Sequence, residues 1–162
     1  MEPCYKNHPH LPLKGGIVIY GGSCTQPVVH DADVYIGFER AIRARRILHR
    51  WGEAGKPASD DLPIEVLLEV ADMTAPKEPD RFTALVDWTI EQLEAGKKVH
   101  AGCIGGHGRT GTFLAALVAK MLGKKDASSY VRKYYCPHAI EVKEQVRFLS
   151  KHFGVEPVDP RY

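Results

Sequence analysis

The order of hydrophobic and polar positions along the chain predicts strands and helices in turn. Short apolar runs bounded by Gly, Pro and Asp indicate strands, and apolar residues recurring every three or four positions indicate amphipathic helices. The predicted strands cover residues 15–22, 33–38, 64–70 and 97–101, and the predicted helices cover residues 39–51, 80–96, 109–122, 126–135 and 141–152. Gly96 follows the second helix as its expected C-terminal stop. Strands separated by helices predict an α/β fold, in which a central sheet of about four or five strands is covered by helices.

Composition adds limits to this picture. With 162 residues, of which 44% are hydrophobic, residues 1–162 are expected to form one domain with a sizeable core. Lys and Arg number 22 against 20 Asp and Glu, so a net charge of +2 gives no general attraction to nucleic acid or to an anionic membrane. We therefore expect neither as a partner, and the sequence does not specify an oligomeric state. The four cysteines show no CxxC spacing and no secretory signal pattern opens the sequence, which favours a cytoplasmic location.

The segment "VHAGCIGGHGRTGTFLAALVAKMLG", from Val99 to Gly123, joins a predicted strand to a predicted helix. The first amides of a helix lack intrahelical partners and carry a partial positive charge, so such a turn is suited to an anion. Glycines allow the loop amides to turn inward without a Cβ in the way. They stand at Gly105, Gly106, Gly108 and Gly111. The expected guest is a phosphate group.

Three phosphate-loop readings and one metal reading compete for this segment. Gly106-x-Gly108-x-x-Gly111 has the letters of a dinucleotide fingerprint, but no second parallel strand ending in an acidic residue follows the helix. A P-loop NTPase needs a glycine where Cys103 stands and a lysine where Arg109 stands. A metal site built from His100, Cys103 and His107 would leave the glycines and Arg109 unexplained.

The third phosphate reading uses each special residue of the segment. A cysteine is a nucleophile as its thiolate, which a cradle of amide donors at a helix N-terminus favours. Arg109 follows Cys103 by six positions and can return across the loop to bind two phosphoryl oxygens with its planar fork. Cys103 then faces phosphorus in line with the leaving group.

The spacing C-x5-R-[ST] in "CIGGHGRTG" resembles the signature of the cysteine-dependent protein tyrosine and dual-specificity phosphatases, and the similarity runs from about Ile64 to His152. The resemblance implies a tyrosine-phosphatase-like catalytic domain that uses no metal and no cofactor. It places the phosphate in a loop formed by Ile104, Gly105, Gly106, His107, Gly108 and Arg109. One position departs from the family pattern, because Gly102 stands where the family usually has a histidine, and the nearby histidine is His100.

The same resemblance implies three further catalytic residues. Asp72, 31 positions before Cys103, matches the family's general acid, which protonates the leaving oxygen and, once ionised, activates the hydrolytic water. Asp80 is the rival, although its place before "RFTALV" suits a helix N-cap. Thr110 matches the family hydroxyl that helps the cysteine leave. Gln145, in "AIEVKEQVRFL", matches a glutamine that orients the water.

These residues together predict a phosphomonoester hydrolase. We expect a protein phosphatase that takes phosphotyrosine, and also phosphoserine and phosphothreonine, through a cysteinyl-phosphate intermediate; its partner is a phosphorylated protein or peptide. Neutral residues at the loop, Ile104 and Gly105, with His107, favour this over a phosphatase for RNA 5′ ends or phosphoinositides. A phosphate-binding pseudophosphatase without turnover is a further alternative, against which the intact Cys103, Asp72 and Arg109 argue.

Overall fold

A computed structural model describes residues 9–40, 48–52, 57 and 63–162. Within these residues the chain forms a mixed sheet of six strands and four α-helices. The strands are β1 (Leu11–Pro12), β2 (Val18–Ser23), β3 (Val34–Gly37), β4 (Leu48–Arg50), β5 (Ile64–Leu67) and β6 (Val99–Cys103). The helices are α1 (Pro79–Glu94), α2 (Gly108–Leu122), α3 (Ala127–Tyr134) and α4 (Lys143–Phe153). The predicted α/β class is confirmed, and the sheet has more strands than the expected four or five.

The sheet has the order β1-β2-β6-β3-β5-β4, in which β1 is antiparallel to β2 and the other neighbours are parallel. Strand β6 therefore lies between β2 and β3, with Cys103 opposite Ser23 and Gly102 opposite Gly37. Because parallel strands end at the same edge of a sheet, the segments after β2, β3, β5 and β6 meet there. This edge is where the sequence predicted the site.

Helix α2 lies in the interior, and the other helices cover it. Its residues are buried without interruption from Gly108 to Val118, so its apolar and small side chains face neighbours on all sides. Both α1 and α2 contact β6, and α3 and α4 pack against α2. Phe82 of α1 joins them, with its ring edge-on to Phe113 of α2 and to Phe148 of α4. The start of α2 is thus held rigidly beside the end of β6.

The helix predicted over residues 39–51 is wrong at its end. Leu48–Arg50 form β4, an edge strand paired with β5, and residues 41–47 lie outside the described part of the chain. A strand of three residues is too short to show an alternating pattern, so the periodicity of its neighbours masked it. Asp80 also differs from expectation: α1 begins at Pro79, which places Asp80 in the first turn rather than at the N-cap.

The remaining elements agree with the sequence pattern to within a few residues. Gly96 follows α1 with φ of +82°, as expected of a C-terminal stop. The predicted strand 15–22 begins later, at Val18, because Gly15 and Gly16 form a tight turn with positive φ. No helix among the residues that the structure describes is long and apolar enough to cross a membrane.

Candidate active site

Cys103 ends the inner strand β6 and is buried, with a free thiol. The Thr110 hydroxyl donates a hydrogen bond to Cys103 Sγ at 3.0 Å and accepts one from the Cys103 backbone N–H at 2.8 Å. One hydroxyl group of α2 therefore fixes both ends of the cysteine. A donor aimed at the sulfur stabilises negative charge there, which suits a thiolate nucleophile or a thiolate leaving group.

The loop from Ile104 to His107 leads directly into α2, and His107 makes no side-chain capping bond. The first amides of α2 thus remain donors without helical partners, next to Cys103. Tyr135 shapes this loop, since its buried hydroxyl donates to the Gly106 carbonyl at 2.8 Å. A trans peptide places C=O and N–H on opposite sides, so the His107 N–H points away from Tyr135. Burial, with the nearby Cys103, raises the pKa of Tyr135 well above its ordinary value, and the phenol remains a donor.

The glycines of the loop segment are required for different structural reasons. Gly106 has φ of +79°, and a Cβ there would lie 2.9 Å from the Gly22 backbone. A Cβ on Gly111 would lie 2.8 Å from Ala139 Cβ, so this glycine lets α2 approach the segment before α4. Gly105 differs, since the nearest heavy atom to its would-be Cβ is His107 Nδ1 at 3.9 Å. From the sequence, all of these glycines are expected to let the loop amides turn inward, whereas most of them allow close packing.

Gly102 stands where the resemblance leads one to expect a histidine, and the sheet explains the difference. A Cβ on Gly102 would lie 2.6 Å from Cys24 N and 2.7 Å from Gly22 O, both backbone atoms of the β2 segment. Strand β2 passes too close for any side chain. His100 does not take that place: it is buried in β6, and its Nε2 accepts a hydrogen bond from Val28 N.

We expect Gly102→Ala to lower the free energy of unfolding by about 1–3 kcal/mol, the usual cost of overpacking. Gly105→Ala is the matched control, because its Cβ has room and its φ is not positive. Urea denaturation of both variants measures the difference. Equal stability of the two variants would contradict the close packing at Gly102.

Arg109 lies buried at the start of α2, and its guanidinium is held from one side. Nη1 donates to Glu39 Oε2 at 2.7 Å and to the carbonyls of Val70 (2.7 Å) and Phe38 (3.3 Å). Nη2 lies 3.5 Å from Asp72 Oδ1, and the buried Nε has no hydrogen-bond partner in the described part of the chain. Burial alone would lower the pKa of Arg109, but Glu39, Cys103 and Asp72 together raise it. The edge formed by Nε and Nη2 is therefore a charged fork, and the guanidinium lies near Cys103 and Asp72.

Asp72 follows β5 and lies beside this fork. Its side chain is 69% exposed, and its Oδ1 accepts a hydrogen bond from Met73 N at 2.9 Å. Met73 has φ of +61°, which is uncommon for a residue with a side chain. Of the two candidate aspartates, Asp72 and Asp80, the fold brings Asp72 next to Arg109. Its role as general acid stays a prediction.

Gln145 is almost fully buried, and its amide joins two loops. Oε1 accepts hydrogen bonds from the backbone N–H groups of Glu141 (2.8 Å) and Val142 (3.2 Å), and Nε2 donates to Thr74 O at 3.2 Å. Thr74 belongs to the segment that carries Asp72. In this geometry Gln145 positions that segment against the start of α4, and its predicted action on a water remains untested.

Ile104 and His107 form the rim of the loop. Ile104 is 45% exposed, and the His107 ring lies 5.8 Å from the ring of His138. Burial, with the nearby His138, lowers the pKa of His107, so its ring adds no positive charge at neutral pH. Among the described residues no group of three or more His, Cys, Asp and Glu side chains is arranged to hold a metal ion.

Sequence reasoning missed three residues of the site: Glu39, Tyr135 and Glu141. Glu39 offered a signal, since it follows a predicted strand at the sheet edge where sites form in α/β proteins. Glu141 offered one as well, because it stands in "AIEVKEQVRFL", the segment in which Gln145 matches the family pattern. Tyr135 offered none, because it reaches the loop by tertiary packing.

Comparisons with known proteins bear on the family. No family model matches the chain. Two uncharacterized proteins of Methanocaldococcus jannaschii are 41% and 43% identical to it over 68 and 72 residues, 42% and 44% of this chain. These segments are 46% and 45% of the relatives' own lengths, so the chain matches less than half of each.

Solved structures match over most of the chain. Tk-PTP in its active form is 25% identical with a TM-score of 0.56, over 76% of this chain and 80% of its own. A single-residue variant of human DUSP28 has a TM-score of 0.66 at 13% identity, over 90% and 94%. The chain therefore has the fold of the cysteine-dependent protein tyrosine phosphatases. PTPMT1 in complex with PI(5)P shares this phosphatase fold, with a TM-score of 0.57 at 16% identity over 91% and 88%.

Proposed function

We propose that this protein is a protein phosphatase that hydrolyses phosphotyrosine, and phosphoserine and phosphothreonine more slowly, with Cys103 as the nucleophile and without a metal. The observation that carries the proposal is the Nε and Nη2 edge of Arg109. It is buried and charged, and it lies beside Cys103 with no acceptor on Nε in the described ranges. A buried donor without an acceptor is costly, and a phosphoryl group with two oxygens on the fork would satisfy it.

In the first step Cys103 Sγ attacks phosphorus and the bond from phosphorus to the ester oxygen breaks. The leaving oxygen takes a proton from the Asp72 carboxyl, so an alcohol or phenol departs and cysteinyl phosphate remains. The loop amides and Arg109 hold the three equatorial oxygens, on which negative charge resides. Asp72 is suited to this step because its exposed carboxyl lies 3.5 Å from Nη2 of the arginine fork.

In the second step water attacks phosphorus and the bond from phosphorus to sulfur breaks. The electron pair returns to Cys103 as thiolate, inorganic phosphate is released, and the water proton goes to a carboxylate of the site. The Thr110 hydroxyl, 3.0 Å from the sulfur, stabilises the thiolate as it leaves. This geometry supports the same hydroxyl acting in both steps.

The charges around the loop favour a phosphorylated protein over a polyanionic substrate. Three carboxyl groups, of Glu39, Asp72 and Glu141, lie around the guanidinium of Arg109. His107 is neutral at physiological pH, because its pKa is lowered by burial. A phosphoinositide or an RNA triphosphate carries further phosphates that such a rim repels. A single phosphate monoester avoids this repulsion.

We expect kcat/KM to be highest for a phosphotyrosine peptide, lower but measurable for the matched phosphothreonine peptide, and lowest for a soluble phosphoinositide and a 5′-triphosphate RNA. Phosphate release from the four substrates at one ionic strength measures the order. A phosphoinositide preferred by more than about tenfold, roughly 1.4 kcal/mol in transition-state binding, would contradict the substrate choice. A protein that binds the peptides and releases no phosphate from any substrate would instead be the pseudophosphatase alternative.

A further inference from the structure

The backbone is strained beside each of two carboxylates of the site. Among the described residues, Met73 and Ile140 have a positive φ without being glycine, at +61° and +64°. For a β-branched residue such as Ile140 this region is a true outlier. Met73 directly follows Asp72, and Ile140 directly precedes Glu141. Strain of this kind persists where the surroundings over-determine the backbone, and it clusters at functional sites.

The surroundings of Ile140 do over-determine it. Its N–H donates to His107 O at 3.2 Å, which ties it to the phosphate loop. Arg132 of α3 donates from Nη2 to Ile140 O at 2.8 Å and from Nε to Ala139 O at 2.9 Å. A side chain from one helix and a carbonyl of the catalytic loop thus fix this short segment in its strained conformation.

The backbone of Glu141 is fixed as firmly. Its N–H donates to Gln145 Oε1 at 2.8 Å, and its carbonyl accepts from the N–H groups of Arg161 (2.8 Å) and Tyr162 (3.0 Å). Arg161 also donates from Nε to Pro137 O at 2.9 Å. The C-terminal residues therefore close over the segment before α4, and every backbone polar group from Ile140 to Glu141 has a partner. These contacts fix the backbone from which the Glu141 side chain extends.

The carboxyl of Glu141 lies at the N-terminus of α2. Glu141 Oε1 lies 2.5 Å from the point that a Cβ on Gly108 would occupy, so the absence of a side chain at Gly108 makes room for the carboxyl. Burial raises the pKa of Glu141, the charge of Asp72 raises it further, and the Gly108 N–H and Arg109 offset part of the increase. A carboxylate with a raised pKa is a better proton acceptor than a carboxylate with an ordinary pKa.

We propose that Glu141 is a catalytic residue, whose carboxylate accepts the proton of the water that hydrolyses the cysteinyl phosphate. The inference rests on the proposed function. Water forms its bond to phosphorus, the bond to Cys103 Sγ breaks with its electron pair returning to sulfur, and one water proton passes to Glu141. Inorganic phosphate then leaves, Glu141 loses the proton to solvent, and Asp72 takes up a proton from solvent for the next turnover. Asp72 remains the general acid of the first step, so each of the two proton transfers has its own carboxyl group. Gln145 positions the backbone of Glu141.

The test compares Glu141→Gln with Glu144→Gln by rapid-mixing kinetics on p-nitrophenyl phosphate. Glutamine keeps the size of the side chain and an oxygen that can accept the Gly108 N–H, but it cannot take a proton. We expect Glu141→Gln to keep a fast burst of about one p-nitrophenol per enzyme while steady-state kcat falls about 10²-fold, the lower end of what a general base contributes. Phosphorylated enzyme, trapped by acid quench, should accumulate.

Glu144→Gln changes an exposed carboxyl in the first turn of α4, three positions after Glu141, and should keep the wild-type kcat. An unchanged kcat in a folded Glu141→Gln variant would overturn the inference. Loss of the burst together with the steady state, in a variant that still binds a phosphotyrosine peptide, would also overturn it, because the first step would then need Glu141. If Glu141→Gln does not fold, Glu141→Asp keeps a carboxylate at a shorter reach, and a wild-type kcat there contradicts the required placement. Absence of turnover in the wild-type protein itself would instead count against the proposed function.

Discussion

Cys103→Ser is expected to abolish hydrolysis while binding of a phosphotyrosine peptide persists. Serine at this position is a protonated alcohol and a poor nucleophile, because the Thr110 hydroxyl that meets the sulfur is no base. The change leaves the loop amides and Arg109 untouched, and Arg109 Nε has no hydrogen-bond partner among the described residues, so the phosphoryl group keeps its donors. Phosphate release from p-nitrophenyl phosphate and calorimetric titration with the peptide measure the two properties separately.

Cys24→Ser supplies the matched control for this experiment. Cys24 is a second buried free thiol, and its backbone N–H donates to Cys103 O at 2.7 Å. Burial, with the nearby Cys103, raises the pKa of Cys24 to about 11, so this thiol is protonated at neutral pH and its replacement changes no charge. Turnover should survive in Cys24→Ser. Turnover that survives in Cys103→Ser as well would show that another group attacks phosphorus.

The sequence predicts those parts of the fold that local pattern determines. Helix α1 combines apolar residues at helical spacing with a glycine stop, and strand β3 is a short apolar run between turn residues; both lie where expected. Strand β4 has three residues and depends on pairing with β5, so its own residues carry no period to detect. Short edge strands of this kind are determined by the partner and not by the strand itself.

The same division applies to the site. Cys103, Arg109 and Thr110 lie within eight consecutive positions, so the spacing alone brings them together. Glu39 contacts Arg109 from 70 positions away, and no local pattern records that contact. Gly102 is visible in the sequence as a departure from the family pattern. The reason for it is tertiary, because the backbone of the neighbouring strand leaves no room for a side chain.

Asp72→Asn is expected to lower kcat by about 10²–10⁴-fold, the range that a general acid contributes. The amide cannot protonate the leaving oxygen, so the loss should be large for a phosphotyrosine peptide. It should be smaller for p-nitrophenyl phosphate, whose leaving group departs with little protonation. The substitution also removes a negative charge 3.5 Å from Arg109 Nη2, so peptide affinity should hold or rise. Steady-state kinetics on both substrates, with peptide titration, test this combination.

Asp80→Asn is the control that separates the loss of the general acid from the loss of a negative charge eight positions further along the chain. Asp80 is exposed in the first turn of α1, where a carboxylate contributes to helix stability by no more than about 1 kcal/mol. Its kcat should stay near the wild-type value. The kinetic signature differs too, since Asp72→Asn slows formation of the cysteinyl phosphate from the phosphotyrosine peptide, and no phosphorylated enzyme should accumulate with that substrate. A large loss of kcat in Asp80→Asn with none in Asp72→Asn would show that the acid comes from the start of α1 and not from the segment beside Arg109.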